Sequence, residues 1–544
     1  MASFALFYLT IELLLFANRE VFGPNVIGND IIFALISFLN IVPSGIFAFA
    51  VVSALHEDET SELSETRLLA KRPVFKSPRV AVLYTTYNDF ILDDADYDCA
   101  EARERGYPFF ILDDSNRAKK KEEIDSFAAE RDGCYVVRRD SRKGFKAGAM
   151  NNWAKIFGKN YDYAFILDSD SRASADAIEY CVDLARRDAR IALVQTRTMT
   201  TSPNPTAFTM SGVTIQHAYM AVVQNSMKNL GSSPYYGHNA LLKIEALNSV
   251  GGLVEESNED YKTLARLHHK GYKSVYASRA TTWEEIPPDY YSARKRSLRW
   301  ARDAVGQLGL LKFRVPLPMA IYLFYGWVTY MTNIALLSLF LMLSFGSLSL
   351  QVSSMGLFGT IAGVMTMSVI ILWPLLALRV KDPELTPKSL LSAVAFGYPF
   401  NAPMMAPVSA QIAKTTVEKL WQACKRISGV GSKGAIEEFI VTPKVRVRTF
   451  RLSSVVASLK LEIAIGLIPL TIAVATSARY FLLFSIPQIG ALVLLPLFIS
   501  AESRGRPIIP LQRHVPASAK EYARGVSGPL RYDATPQYAY LLVH

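Results

Sequence analysis

Apolar residues along the 544-residue chain fall in long runs toward both ends and leave a charged stretch of about domain size between them. A membrane span needs roughly 20 mainly apolar residues. The runs at 3–17, 31–54, 317–345, 355–378, 454–477 and 481–500 approach or exceed that length, and the pattern predicts spans paired as hairpins. The first run is short and interrupted by Glu12. The run at 454–477 carries Lys460 and Glu462 near its start, and both are expected at headgroup level, where long charged side chains snorkel. The run at 389–413 is broken by Pro399, Pro403 and Pro407 and leads into Lys414, Glu418, Lys419 and Trp421. That mixture predicts a piece lying on the bilayer surface rather than crossing it.

The middle of the chain has a different period. Short β-branched or aromatic runs at Val80–Thr85, Phe109–Leu112, Cys134–Val137, Ala164–Leu167 and Ile191–Val194 alternate with helical stretches such as 118–131 and 174–188. Alternation of this kind predicts an α/β domain over 78–312, with a mainly parallel sheet and helices on both faces. Ligands of such sheets bind at the carboxyl ends of the strands.

Composition narrows the class. Half the chain is hydrophobic and 20% is charged, which excludes a disordered chain, a collagen-like repeat and a small disulfide scaffold. Lys plus Arg exceed Asp plus Glu by 59 − 48 = 11. Those basic residues concentrate in 55–316, 379–453 and 501–544, while 346–354 has none. The positive-inside rule then expects a multi-pass protein of the plasma (inner) membrane with the α/β domain and both termini in the cytosol. The charge needs no nucleic acid, and no aromatic-interleaved basic stripe argues for one. Cys99, Cys134, Cys181 and Cys424 are scattered, against a zinc site or a disulfide framework and in favour of a reducing compartment.

The expected strand ends carry the chemistry. The first ends in Thr85-Thr86-Tyr87-Asn88-Asp89, the second in Asp113-Asp114-Ser115, and the strand at 164–167 in Asp168-Ser169-Asp170. Taken singly, each is as readily a helix cap or a turn. Together they crowd carboxylates at one edge, and a divalent cation relieves such repulsion. The Asp168-x-Asp170 spacing and hard oxygen ligands suit Mg²⁺ or Mn²⁺, which commonly sits between carboxylates and substrate phosphates. Lys143-Gly144-Phe145-Lys146-Ala147-Gly148-Ala149 lacks Walker A spacing. Its small residues would admit a phosphate near Lys146, and a helix start rich in small residues is the plainer alternative.

Further on come Tyr236-Gly237-His238-Asn239-Ala240, Asn258-Glu259-Asp260 and Arg296-Ser297-Leu298-Arg299-Trp300. The ordered series resembles the membrane-embedded processive family 2 glycosyltransferases, among them cellulose synthase, hyaluronan synthase and the bacterial periplasmic-glucan glucosyltransferases. Phe439-Ile440-Val441-Thr442-Pro443-Lys444 is similar to the gating loop of cellulose synthase. One departure stands out: the Gln of the family's Gln-x-x-Arg-Trp is Arg296 here, as in the periplasmic-glucan enzymes.

The resemblance implies a GT-A-type domain in the cytosol, fused to an α-helical membrane domain of about six spans with interfacial helices. It divides the chain into a hairpin at 1–55, the catalytic domain at 78–312, a hairpin at 317–378, an interfacial helix and gating loop at 385–453, a hairpin at 454–500 and a basic tail at 501–544. It implies inverting transfer from a UDP-sugar, with UDP-glucose favoured, to a growing β-linked polysaccharide that leaves through the protein's own channel across the lipid bilayer. Asp260 would be the general base. Asp168 and Asp170 would hold Mg²⁺ or Mn²⁺. Thr85, Tyr87, Asp89, Asp113, Lys146, Arg296, Arg299, Thr442 and Lys444 would meet the nucleotide diphosphate. Trp300, His238, Asn239 and Gln195 would meet the acceptor. His268 and His269 have no role and are expected on the surface. Auxiliary export proteins leave no signature.

Two other classes compete. A non-processive glycosyltransferase with a lipid acceptor shares the carboxylate motifs, but simple enzymes of that kind generally lack the gating loop and the Arg-x-x-Arg-Trp motif. A transporter with a cytosolic regulatory domain would leave Asp260 and the strand-end carboxylates without work.

Overall fold

The computed structural model describes residues 64–346 apart from 75–76 and 203–205, residues 404–427 and 452–464, and isolated positions within 46–54, 386–393 and 467–499. After a short helix α1 (Glu65–Ala70) the chain alternates strand and helix: β1 (Val80–Thr86), α2 (Leu92–Glu104), β2 (Phe109–Asp113), α3 (Ala118–Ala129), β3 (Cys134–Val137), α4 (Phe145–Phe157), β4 (Tyr163–Asp168), a two-residue β5 (Arg172–Ala173), α5 (Ala175–Ala185) and β6 (Ile191–Thr201). Helix α6 (Ala207–Tyr219) then runs through a π-turn at Met220–Gln224 into α7 (Asn225–Asn229). β7 (Ala240–Lys243), α8 (Ile244–Ser249), α9 (Glu259–His269), β8 (Lys273–Glu285), α10 (Tyr290–Ala304) and α11 (Leu317–Gly346) follow, with α12 (Met405–Ile427) and α13 (Leu452–Ser458) beyond.

The strands form one 8-stranded sheet in the order β3-β2-β1-β4-β7-β6-β8-β5. Val80, Val82 and Tyr84 of β1 join one buried cluster, whereas Ala81 and Leu83 join another. That alternation is the two-residue period of a strand. With both faces buried, β1 reads in sequence as an unbroken apolar run.

Six of the eight strands run the same way, β6 and β8 among them, so the sheet is mainly parallel as expected, yet it is mixed. β1, β2, β3 and β4 are parallel neighbours, but β7 runs antiparallel to both β4 and β6, and β5 is antiparallel to β8. The reversal has a use. An antiparallel strand begins where its neighbour ends, so the residues preceding β7 arrive at the carboxyl end of β4. Asn239 N–H donates to Ile166 O at 2.7 Å there.

Among the described residues no helix is long and apolar enough to cross a membrane. Residues 3–17, 355–378, 439–444 and 501–544, and nearly all of 31–54 and 481–500, lie outside the described residues. The run at 317–345 forms α11, with side chains described as far as residue 334. The surface segment is partly seen as α12, which buries Ala406, Val408 and Ile412 and exposes Val417, Leu420 and Trp421. The headgroup placement fails for Glu462. It is 3% exposed, and its Oε1 accepts from Arg294 Nε of α10 at 2.7 Å. A carboxylate taken from water needs such a partner, and α10 supplies it. Lys460 is exposed.

Candidate active site

β1 has β2 on one side and β4 on the other, so successive connections diverge there and open a crevice at the carboxyl edge. Thr85 and Asp168 stand in register at its lip. Thr85 Oγ1 donates to Leu167 O and to Asp168 Oδ1, each at 3.1 Å. Lys146, from the first turn of α4, forms an ion pair with Asp168 Oδ1. The segment after Asp170 is fixed from behind by α2. Arg172 pairs with Asp94, Asp98 Oδ1 accepts from Ala173 N at 2.9 Å, and Glu101 Oε2 accepts from Ala175 N at 2.7 Å. Asp170 itself is 5% exposed.

The other strand-end carboxylates are already engaged. Asp89 Oδ1 accepts from Tyr87 N at 2.7 Å and from Thr86 Oγ1 at 2.9 Å, closing the turn after β1. Asp113 is buried and accepts from Ser115 N at 2.8 Å and Arg138 Nε at 2.7 Å. Asp114 takes Arg139 Nε at 2.7 Å and Nη2 at 2.5 Å. Arg139 also donates at 2.6 Å to the carbonyls of Lys143 and Phe145. A Cβ on Gly148 would lie 2.4 Å from Arg139 Nη1 and 2.1 Å from Lys143 O. Gly148 therefore makes room for a guanidinium and its own loop.

The residues before β7 face this edge from the other side. His238 Nδ1 is 3.0 Å from Tyr236 O and its Nε2 is 2.5 Å from Glu284 Oε2 on β8. With an acceptor at each nitrogen the ring holds both protons. Burial works against that charge, but Glu284 outweighs it and the pKa is raised. Asp168 Oδ2 lies 3.8 Å from Nδ1. Gln195, fully buried, donates to the carbonyls of His238 and Asn239 at 3.1 and 2.9 Å and accepts from Tyr236 N at 3.1 Å. Asn239 is also fully buried, in the left-handed region at φ 51°. Gln195 and Asn239 thus shape the loop, and His238 is the one of the three that reaches toward the edge.

Asp260 sits in the first turn of α9, where Asn258, at φ 62°, is the cap residue and makes no side-chain capping bond. Asp260 Oδ1 accepts from Tyr261 N at 2.8 Å. Burial first, then the carboxylate of Glu259, pushes the pKa of Asp260 up to about 8. Burial likewise raises Glu259, against the pull of Lys146 and Arg299. Gly237, at φ 85°, lets the loop pass the base: a Cβ there would lie 3.8 Å from Asp260 Cβ. The phenol of Tyr235 is raised by burial and then by Glu259, Asp260 and Asp168, so all three carboxylates act on it.

α10 adds cations. Arg296 lies 4.7 Å over the ring of Trp300, which is 41% exposed. Burial lowers the pKa of Arg296, while Glu284 and Asp170 pull the other way. Arg299 acts electrostatically on Asp260 and Glu259. Thr442 and Lys444 lie outside the described residues. His268 is not on the surface: it is 7% exposed, 3.1 Å from Tyr272 O, and burial lowers its pKa to about 4.

Sequence reasoning missed Glu284, Glu259 and the three arginines after β3. The consecutive Arg138-Arg139 opposite consecutive Asp113-Asp114 was a readable signal. Glu284 was not readable, because β8 was not foreseen. Among the described residues no three His, Cys, Asp or Glu stand together closely enough to hold a metal on their own.

Residues 163–380 match the family model described as "Glycosyl transferase family group 2". That stretch is similar to the family 2 glycosyltransferases. The chain is 26% identical over 263 residues to glucans biosynthesis glucosyltransferase H of Bradyrhizobium diazoefficiens, covering 43% of this chain and 35% of the relative. Glucomannan 4-beta-mannosyltransferase 9 of Arabidopsis thaliana is 28% identical over 202 residues, covering 35% of this chain and 37% of that one. The chain thus spans little more than a third of the length of these curated relatives. Among solved structures, mannosyltransferase PcManGT from Pyrobaculum calidifontis in complex with GDP-Man and Mn²⁺ matches at a TM-score of 0.44 and 16% identity, over 66% of this chain and 98% of that one. In this chain, β4 and Asp168 lie at the start of the region matched to the family model and α10 within it.

Proposed function

We propose that the protein is a processive inverting glycosyltransferase that elongates a β-linked polysaccharide, a glucan by preference, from a UDP-sugar. The supporting observation is Asp260, half-buried with a raised proton affinity on the side of the crevice facing Asp168 and Lys146. In the reaction the acceptor hydroxyl attacks C1 of the donor sugar, its proton passes to Asp260 Oδ, and the C1–O bond to the diphosphate breaks. Lys146 and Arg299 face the charge that develops on the leaving oxygen, which is where preorganised cations stabilise most. His238, with both ring nitrogens engaged by Tyr236 O and Glu284, positions the loop beside that charge. Trp300 offers an apolar face to a sugar ring.

Asp168 and Asp170 fit a divalent cation of the kind completed by substrate phosphates, since two carboxylates and phosphate oxygens are the usual Mg²⁺ or Mn²⁺ set. When bound, that ion would neutralise diphosphate charge. The Asp168 side chain is 29% exposed at the lip of the crevice, which suits such a ligand. The catalytic domain is assigned to 78–312 on the cytosolic face of the plasma (inner) membrane, with the apolar runs forming spans and a secretion path, and 439–444 closing over the nucleotide.

The experiment is incorporation of labelled sugar from a panel of UDP- and GDP-sugars by the full chain in nanodiscs with Mn²⁺. High-molecular-weight product from one donor is expected. Short, organic-extractable product would favour a lipid acceptor, and turnover of no sugar nucleotide would overturn the reading.

A further inference from the structure

Asp89 and Asp113, two of the residues expected to meet the nucleotide, are held by a turn and by Arg138. The side chain left unengaged at that end of the edge is a cation. Arg142 stacks with its guanidinium carbon 3.5 Å from the ring centre of Tyr87 and 5.1 Å from that of Phe145. Its Nε is buried without a partner. Among the described residues its guanidinium makes no hydrogen bond or ion pair. Asp114, the nearest candidate counter-ion, is occupied by both nitrogens of Arg139.

A half-buried cation in that position lacks an acceptor, and acceptors are what a guanidinium requires, since it carries donors only. The place indicates which acceptor. Neighbouring strands are about 4.8 Å apart, so Tyr87 at the end of β1 and the loop beside β2 lie roughly 5–10 Å from Asp168 on β4. That is the reach from the diphosphate of a nucleotide to its base. Lys146 already serves the β4 end. Aromatic rings beside a guanidinium form the kind of flat layer on which a base rests without regard to its identity. Identity must then come from hydrogen bonds. Uracil and guanine present a keto oxygen where cytosine and adenine present an amino group.

We propose that Arg142, stacked on Tyr87, reads the nucleobase of the donor and selects uracil or guanine, which carry a keto oxygen at C4 or C6, over cytosine or adenine, which carry an amino group there. The proposal rests on the reading of the protein as a nucleotide-sugar transferase.

The test is calorimetric binding of UDP, GDP, CDP, ADP and inorganic pyrophosphate, with Mn²⁺, to the full chain and to Arg142→Ala and Arg142→Gln. The unsubstituted chain is expected to bind UDP or GDP at least about tenfold more tightly than CDP or ADP, an ordinary effect of one donor–acceptor match in place of a clash. In Arg142→Ala that ratio should collapse toward one while pyrophosphate affinity is kept, which also reports an intact site. Arg142→Gln, planar and still a donor, should restore part of the ratio. An unchanged ratio in Arg142→Ala overturns the proposal alone. So does an equal loss for UDP and pyrophosphate, which would make Arg142 a phosphate ligand. Failure of the unsubstituted chain to bind any of the nucleotides overturns the sugar-transfer reading together with it.

Discussion

On the β2–β1–β4 side of the crevice, acidic groups are matched by donors: Asp113 by Arg138, Asp114 by Arg139, Asp168 by Lys146, Asp89 by a backbone N–H and a hydroxyl. Across from it, on α9, Glu259 and Asp260 are adjacent in sequence and half-buried, and the carboxylate of Glu259 raises the proton affinity of Asp260. The first arrangement holds a shape. The second holds a carboxylate at high energy, as general-base work requires. Paired groups make the edge rigid, and the poorly matched pair makes it reactive.

The sharpest way to break that contrast is to remove the base. Asp260→Asn should lower kcat by roughly 10²–10⁴-fold while leaving UDP affinity within about twofold, measured by single-turnover transfer beside calorimetry. Equal losses in both would make Asp260 a donor-site residue. Next in size, Arg139→Ala should leave Asp114 buried without its partner and destabilise the domain by about 3–5 kcal/mol, read as a fall in Tm. A neutral result would mean that the pairing on that side is decorative. The finest test concerns pH. Asp260 must be ionised to accept a proton, and its raised pKa is about 8. The rate should therefore climb as pH rises through about 8 and level off above it. Glu259→Gln removes the charge that raises Asp260, so the acid limb of kcat/KM should move to lower pH. No movement would show that burial alone sets the base.

The parallel half of the fold was legible because buried parallel strands advertise themselves as apolar runs. β1, β2 and β4 each ended within a residue of expectation, with their acidic ends at one edge. The other strands, antiparallel β7 and the parallel β8 beyond it, were hidden. β7 has only four residues, Ala-Leu-Leu-Lys, and β8, Lys-Ser-Val-Tyr-Ala-Ser-Arg-Ala-Thr-Thr-Trp-Glu-Glu, has no clean alternation. Its partner Glu284 was lost with it. Which carboxylates the fold would satisfy internally was also unreadable. Asp113 and Asp114 look alike in sequence to Asp168 and Asp170, and only the course of the chain after β3 brings Arg138 and Arg139 onto them.

Tyr322 of α11 shares hydroxyl contacts with Tyr219 at 2.7 Å and with Tyr261 at 3.1 Å, and Tyr261 is the neighbour of Asp260. Met319 and Leu323, both fully enclosed, complete the same core as Trp153 and Leu310. Helix α11 is thus a keystone of the catalytic body and not a tether fastened to it. A chain cut at residue 312 would strip Met319, Tyr322 and Leu323 from the core and leave the phenols of Tyr219 and Tyr261 without their common partner. The smallest piece able to keep the geometry of Asp260 extends at least through the first turns of α11.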